Sequence, residues 1–136
     1  AGVFNLCDLQ TLDLGINHRR SIPKEIAQLR HLKTLKLNSN HTPPLDTTNL
    51  WNQIEVFEKL ETLELWSCQA KIMIPEQIAT LKKLKSLDLD NNKMTKLPQS
   101  LASMVWLKKL RISTNPLPAD EIERLRTALP DTNVIG

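Results

Sequence analysis

The chain has 136 residues, 40% of them hydrophobic and 24% charged, with 18 Lys plus Arg against 15 Asp plus Glu for a formal charge of +3. That size and apolar share fit one compact domain over residues 1–136, and an excess of three positive charges is too small to imply nucleic-acid binding by itself. The two cysteines are too few for the disulfide framework of a small secreted domain, a usage expected of a reducing compartment such as the cytoplasm, and no run of about 18 apolar residues is present to span a membrane as a helix.

Along the chain, residues 1–8 place Val3, Phe4 and Leu6 ahead of Leu9 in the manner of the tail of an incomplete repeat. From Leu9 a frame L-x-x-L-x-L-x-x-N begins, and it recurs at residues 9–17, 32–40, 60–68, 84–92 and 107–115, with Ile112 for its third leucine and Cys68 for one of its asparagines. Within the first copy Leu12 and Leu14 fall on one face of an extended segment and Thr11, Asp13 and Gly15 on the other. Beyond it the spacing becomes near-helical at Ile22, Ile26 and Leu29, with Pro23 at the start, so each copy predicts a strand, a turn and a short outer helix.

Leu12, Leu35, Leu63, Leu87 and Leu110 are separated by 23, 28, 24 and 23 residues, so one coil is enlarged. Its surplus predicts an irregular loop over residues 42–48 and a longer amphipathic helix over residues 50–57, with Leu50, Ile54 and Phe57 buried and Thr48 or Asn49 as its N-cap. Residues 74–81 and 97–104 return to the pattern L/I-P-x-x-I/L-x-x-L/M. The end differs: residues 119–129 predict a helix with Ile122, Leu125 and Leu129 on one stripe, Pro130 stops it, and Val134 and Ile135 suit a last edge strand, so residues 116–136 read as a C-terminal cap.

Five copies in register strongly resemble the leucine-rich repeat family, in particular bacterial and signalling members with repeats near 23 residues. The resemblance implies an α/β fold, a right-handed solenoid with a short-stranded parallel sheet on its concave face and helical or irregular convex segments. Asn17, Asn40, Asn92 and Asn115 are then structural, turned inward onto loop backbone groups. It also implies a non-enzymatic protein-protein interaction module that binds a peptide or folded protein on the concave face.

Three outward columns cross that face. They run Thr11, Thr34, Thr62, Ser86, Lys109; then Asp13, Lys36, Glu64, Asp88, Arg111; then Gly15, Asn38, Trp66, Asp90, Ser113. An outward Trp is the residue type enriched in binding hot spots, so the partner-binding candidates are Asp13, Lys36, Asn38, Glu64, Trp66, Asp88, Asp90 and Arg111. Glu64 and Asp88 should be neighbours able to perturb each other's protonation.

A second feature is basic, because residues 71–136 hold eleven basic and seven acidic side chains against seven and eight in residues 1–70. Lys82, Lys83, Lys85, Lys108 and Lys109, with Arg111, form an alternative polyanion-binding site; no aromatic residue is expected among them, which disfavours single-stranded nucleic acid. A third alternative is a spacer or regulatory part of a larger protein. No nucleophile with its base, phosphate-binding glycine loop or metal motif is present, so no catalysis and no cofactor are expected; His18 and His41, each following a repeat asparagine, would stack one coil apart with no third ligand expected.

Overall fold

The computed structural model describes residues 7–15, 21–38, 44–68 and 73–136. Each leucine frame supplies one three-residue strand: β1 (Thr11–Asp13), β2 (Thr34–Lys36), β3 (Thr62–Glu64), β4 (Ser86–Asp88) and β5 (Lys109–Arg111), joined by β6 (Asn133–Ile135). All pair in parallel in chain order, and Leu12, Leu35, Leu63, Leu87, Leu110 and Val134 align in one row, as the spacing predicts. Parallel neighbours require a crossover, and the rest of each coil provides it on the far side of the core. The enlarged coil between Leu35 and Leu63 leaves the register unchanged.

The three apolar positions of each frame point into one continuous core. Leu32, Leu35 and Leu37 are fully buried, as are their counterparts Leu60, Leu63 and Leu65 and again Leu84, Leu87 and Leu89. Burying such a side chain contributes about 1.5–3 kcal/mol, so the leucine column is the principal source of stability.

Outside the core run 3-10 segments at Lys24–Gln28, Glu76–Thr80 and Gln99–Ser103, each preceded by a proline with φ of −63°, −75° or −67°. Proline suits this place because its φ is preset and its missing N–H would have had no partner in the first turn. Its carbonyl remains useful: the N–H groups of Ile26, Ile78 and Leu101 donate to Pro23, Pro75 and Pro98 at 3.1–3.2 Å. The resulting turns bury Ile26, Ile78 and Leu101.

In the enlarged coil the single helix expected over residues 50–57 is broken. A short α1 (Thr48–Trp51) gives way to a 3-10 turn at Ile54–Val56. Between them Gln53 leaves helical geometry at φ −126° and ψ 15°, and its side-chain amide donates to the carbonyls of Asn49 and Lys24, tying the break to the preceding coil. Leu50, Ile54 and Phe57 are nevertheless buried as expected. The cap also differs, since Thr47 holds the N-cap position and the side chain of Asp46 accepts from Thr48 N–H at 2.9 Å.

Where the chain leaves β3, β4 and β5, an inward polar side chain closes the turn. Asn92 Nδ2 donates to the carbonyls of Leu65 and Leu89 at 2.9 and 3.1 Å, and its Oδ1 accepts from Cys68 N–H at 3.1 Å. Asn115 repeats this one coil later, donating to Leu89 and Ile112 and accepting from Asn92 N–H at 3.0 Å. Cys68 fits the same place with a thiol, whose Sγ lies 3.1 Å from the carbonyl oxygen of Leu37. The residues just before them, Ser67, Asn91 and Thr114, take φ of 58°, 56° and 57°, the left-handed geometry that turns the following side chain inward. Asn17 and Asn40 lie outside the described residues, as do Val3, Phe4, His18 and His41. Cys7 is exposed and Cys68 buried, and neither is in a disulfide.

At the C-terminal side α2 (Ala119–Ala128) lies against the last 3-10 segment and buries Leu125, while Leu129 is buried and Ile122 partly so. Thr132, also buried, donates its hydroxyl to the carbonyl of Leu107 at 2.6 Å and sets β6 beside β5.

Asn92→Ala takes the side-chain partner from the Leu65 carbonyl and the N–H of Cys68, while the Leu89 carbonyl keeps its bond from Asn115, and is expected to cost about 2–4 kcal/mol in urea unfolding; Asn91→Gly, which keeps the left-handed turn, should stay within about 0.5 kcal/mol of the parent. Equal effects from the two would show that the inward amide is dispensable.

A second link joins coils on the outer side, where the carboxylate of Glu76 accepts from the N–H groups of Gln99 and Ser100 at 3.0 and 2.7 Å. The bond from Ser100 holds the Glu76 carboxyl below its ordinary pKa. A depressed folded pKa contributes stability above the unfolded value that is lost as pH falls through the folded one. Glu76→Gln should therefore lower the unfolding midpoint at neutral pH, with the difference closing on acidification below the ordinary glutamate range. A gap that persists undiminished in acid would assign the loss to packing instead.

Candidate interaction surface

The outward side chains of the six strands form one face, and the register places the candidate residues on it as columns. Along the second column the charges pair with each other. Lys36 Nζ lies 3.4 Å from Glu64, while Arg111 Nε lies 2.7 Å from Asp90 and 3.8 Å from Asp88. The middle of the face is thus a mixed ionic lattice.

The third column divides by role. Asn38 Oδ1 accepts from the N–H of Trp66 at 3.0 Å, and Asp90 Oδ1 accepts from the N–H of Ser113 at 2.7 Å, so these two candidates hold the next coil in place. Between them an indole cannot accept, and the N–H of Asp90 turns instead to its own coil, donating to Asp88 Oδ1 at 3.1 Å. Gly15 N–H does the same with Asp13 at 3.0 Å. Trp66 itself projects outward, 39% exposed, and its indole donates no hydrogen bond to a described residue.

Asp88 is a perturbed carboxylate on this face. Burial raises its pKa first; the Asp90 N–H opposes this, the Asp90 charge adds to it, Arg111 opposes it, and neighbouring Glu64 raises it further. The expected pair of carboxylates is therefore adjacent, but desolvation outweighs their mutual repulsion.

The lysines gather elsewhere. Lys82, Lys83, Lys85 and Lys108 line a groove of about 230 Å³ at the edge where the chain enters the strands, together with Glu61, Leu84 and Trp106. Trp106 corrects the expectation of a patch without aromatics: the Lys82 ammonium sits 4.3 Å from its ring centre. Its repeat position, one coil on from Lys83, is the signal that could have placed it there. Arg111 faces the sheet and is not part of this edge, and Lys109 opens β5 beside it.

Among the described residues no three His, Cys, Asp or Glu side chains converge as metal ligands, and no helix is long and apolar enough to cross a membrane. Another groove, of about 400 Å³, lies between outer segments near Ile74, Pro75, Leu97 and Pro98, and its carboxylate, Glu76, is already engaged as a cap.

Strand register, proline-led outer turns and a buried amide ladder together define a leucine-rich repeat protein, and residues 58–117 match the family described as leucine rich repeat. Such domains are in general protein-interaction modules and typically non-catalytic. This chain is similar to bacterial members. It superposes over 98% of its length on a leucine-rich repeat protein of Leptospira interrogans with a TM-score of 0.68 at 27% identity, covering 38% of that chain. It also superposes over 98% of its length on an internalin of Listeria monocytogenes with a TM-score of 0.70 at 20% identity, covering 42% of that chain. A probable inactive serine/threonine-protein kinase of Dictyostelium discoideum is 30% identical over 123 residues, which are 90% of this chain and 5% of that protein. The chain spans 5%, 9% and 20% of the length of three curated relatives it matches.

The raised pKa of Asp88 gives a pH test. The fold favours its protonated form, so its contribution to stability is present at low pH and is lost as pH rises through the folded value. Asp88→Asn removes that titration. Measured by urea unfolding, the stability of the variant minus that of the parent should climb between acidic and neutral pH, by about 1 kcal/mol or less for a partly exposed carboxylate beside Arg111. A difference that falls over this range would mean that the ion pair with Arg111 dominates.

Proposed function

We propose that this chain is a non-enzymatic interaction module that takes a peptide or folded protein on the concave face of its sheet, with Trp66 as the anchor. One observation carries this reading: Trp66 is the large outward side chain of the third column that the fold does not use, while Asn38 and Asp90 on either side of it are consumed in holding coils together. A large amphipathic ring with few torsions, set in a surface of charges that already neutralise one another, supplies contact area at low entropic cost. Lys36, Glu64, Asp88 and Arg111 then frame the anchor, fixing orientation and encounter rate more than affinity. Asp13 stands toward the first coil of the same column.

Trp66 serves the fold through its main-chain N–H, which alanine retains. Trp66→Ala is therefore expected to leave thermal unfolding nearly unchanged while costing about 2 kcal/mol or more in affinity for a partner recovered from native lysate and measured by calorimetry. Undiminished affinity in this variant, combined with loss after substituting Lys85, Lys108 and Lys109, would move the principal site to the basic edge.

A further inference from the structure

The edge where the chain enters each strand is built independently of the concave face. Main-chain bonds align one column there: Glu61 N–H donates to Lys33, Lys85 N–H to Glu61 and Lys108 N–H to Lys85, each at 2.8 Å. Two residues further back the same register runs His31, Lys59, Lys83 and Trp106, with Lys59 Nζ 2.9 Å from His31 Nδ1. Over the later coils this edge becomes predominantly cationic, and Lys82, Lys83, Lys85 and Lys108 are all exposed.

Three features narrow what the edge would bind. Trp106 is already committed, since its Nε1 donates to the carbonyl of Leu81 at 2.9 Å and Lys82 lies over its ring, which leaves poor access for a stacked base. Glu61 stands inside the groove, 3.3 Å from Lys85, so that lysine is already paired and the groove offers a ligand few cationic contacts, chiefly Lys83 and Lys108. Beside the lysines there is also apolar surface: Val105, next to Trp106, is 64% exposed. A ligand for this edge therefore carries carboxylates for Lys83 and Lys108 and an apolar side chain for Trp106 and Val105, and it tolerates one acidic neighbour.

We propose that this edge is a second binding site, separate from the concave face, for an acidic peptide segment that carries an aliphatic or aromatic side chain between its carboxylates. Lysines on flexible stems suit such a segment because successive coils are about 4.8 Å apart, whereas an extended peptide advances about 3.3 Å per residue and the stems absorb the mismatch. The Lys82 ammonium over Trp106 keeps the indole fixed while remaining able to meet a carboxylate.

The test uses fluorescence anisotropy with the whole chain and a labelled glutamate-rich peptide of about eight residues, enough at about 3.3 Å each to cross four coils, with one central leucine. The expected result is binding that weakens as salt rises, falls about tenfold or more in Lys83→Glu combined with Lys108→Glu, and falls about fivefold when the peptide leucine becomes glutamine. Trp66→Ala should leave this binding unchanged, which separates failure here from failure of the concave-face reading. Tighter capture of a heparin fragment or a thymidine oligonucleotide than of the peptide, with no dependence on the leucine, would overturn the proposal in favour of a plain polyanion surface. Full affinity in the double lysine variant, whose folding is checked by its circular dichroism and unfolding midpoint, would also overturn it, as would absence of peptide binding.

Discussion

Every coil of this protein must turn its main chain out of a strand while that chain is still inside the core, and the polar backbone groups at the turn need partners there. Among the described residues Cys68, Asn92 and Asn115, each nine residues into its frame, provide them. Asn92 bonds carbonyls of its own coil and of the one before it, and it receives the N–H of the preceding ladder residue. One amide thus satisfies backbone groups on two coils at once, so each coil completes the turn of its neighbour. The leucine rows supply the bulk of the stabilising burial, but they would be satisfied by other arrangements of apolar segments; the ladder restricts the stack to this register.

Because the ladder and the leucines occupy the interior, variation falls on the outer surfaces, and two of these differ in their physics. On the sheet, charges face each other at fixed separations and settle into pairs, Lys36 with Glu64 and Arg111 with Asp90, leaving an indole as the main unspent feature. On the edge ahead of the strands, like charges recur at equivalent positions of consecutive coils, relieved by Glu61 and by the ring of Trp106. The first surface is close to neutral and has an aromatic anchor; the second is cationic with an apolar border.

Much of this was legible in the sequence for a simple reason: a buried leucine cannot change its spacing without losing its place in the row. Leu12 through Leu110 therefore give the strands and their register, and even Cys68 is readable as a ladder residue. The break of the outer helix at Gln53 was not, because the leucine, isoleucine and phenylalanine stripe is compatible with a continuous helix, and the departure depends on a side chain reaching back to Lys24. The division of labour within the candidate site was also hidden. Asn38 and Asp90 look like surface polar residues until the N–H groups of the following coil are seen to need them. The repeat position of Trp106, one coil on from Lys83, was legible, but the bond to Leu81 that holds its ring among the lysines was not.

The enlarged coil leaves the pairing of β2 with β3 in register, so the strand lattice keeps one spacing from β1 to β6. A ligand crossing that lattice meets a ruler marked about every 4.8 Å, while an extended strand presents same-side groups about every 6.6 Å and a helix turns about every 5.4 Å. Neither scale is commensurate with the ruler, and the two fall into phase only at intervals of several coils. A regular ligand can thus be gripped firmly at a few widely separated points and only grazed between them. On such a surface, recognition concentrates in isolated large side chains even though the scaffold that carries them is uniformly periodic.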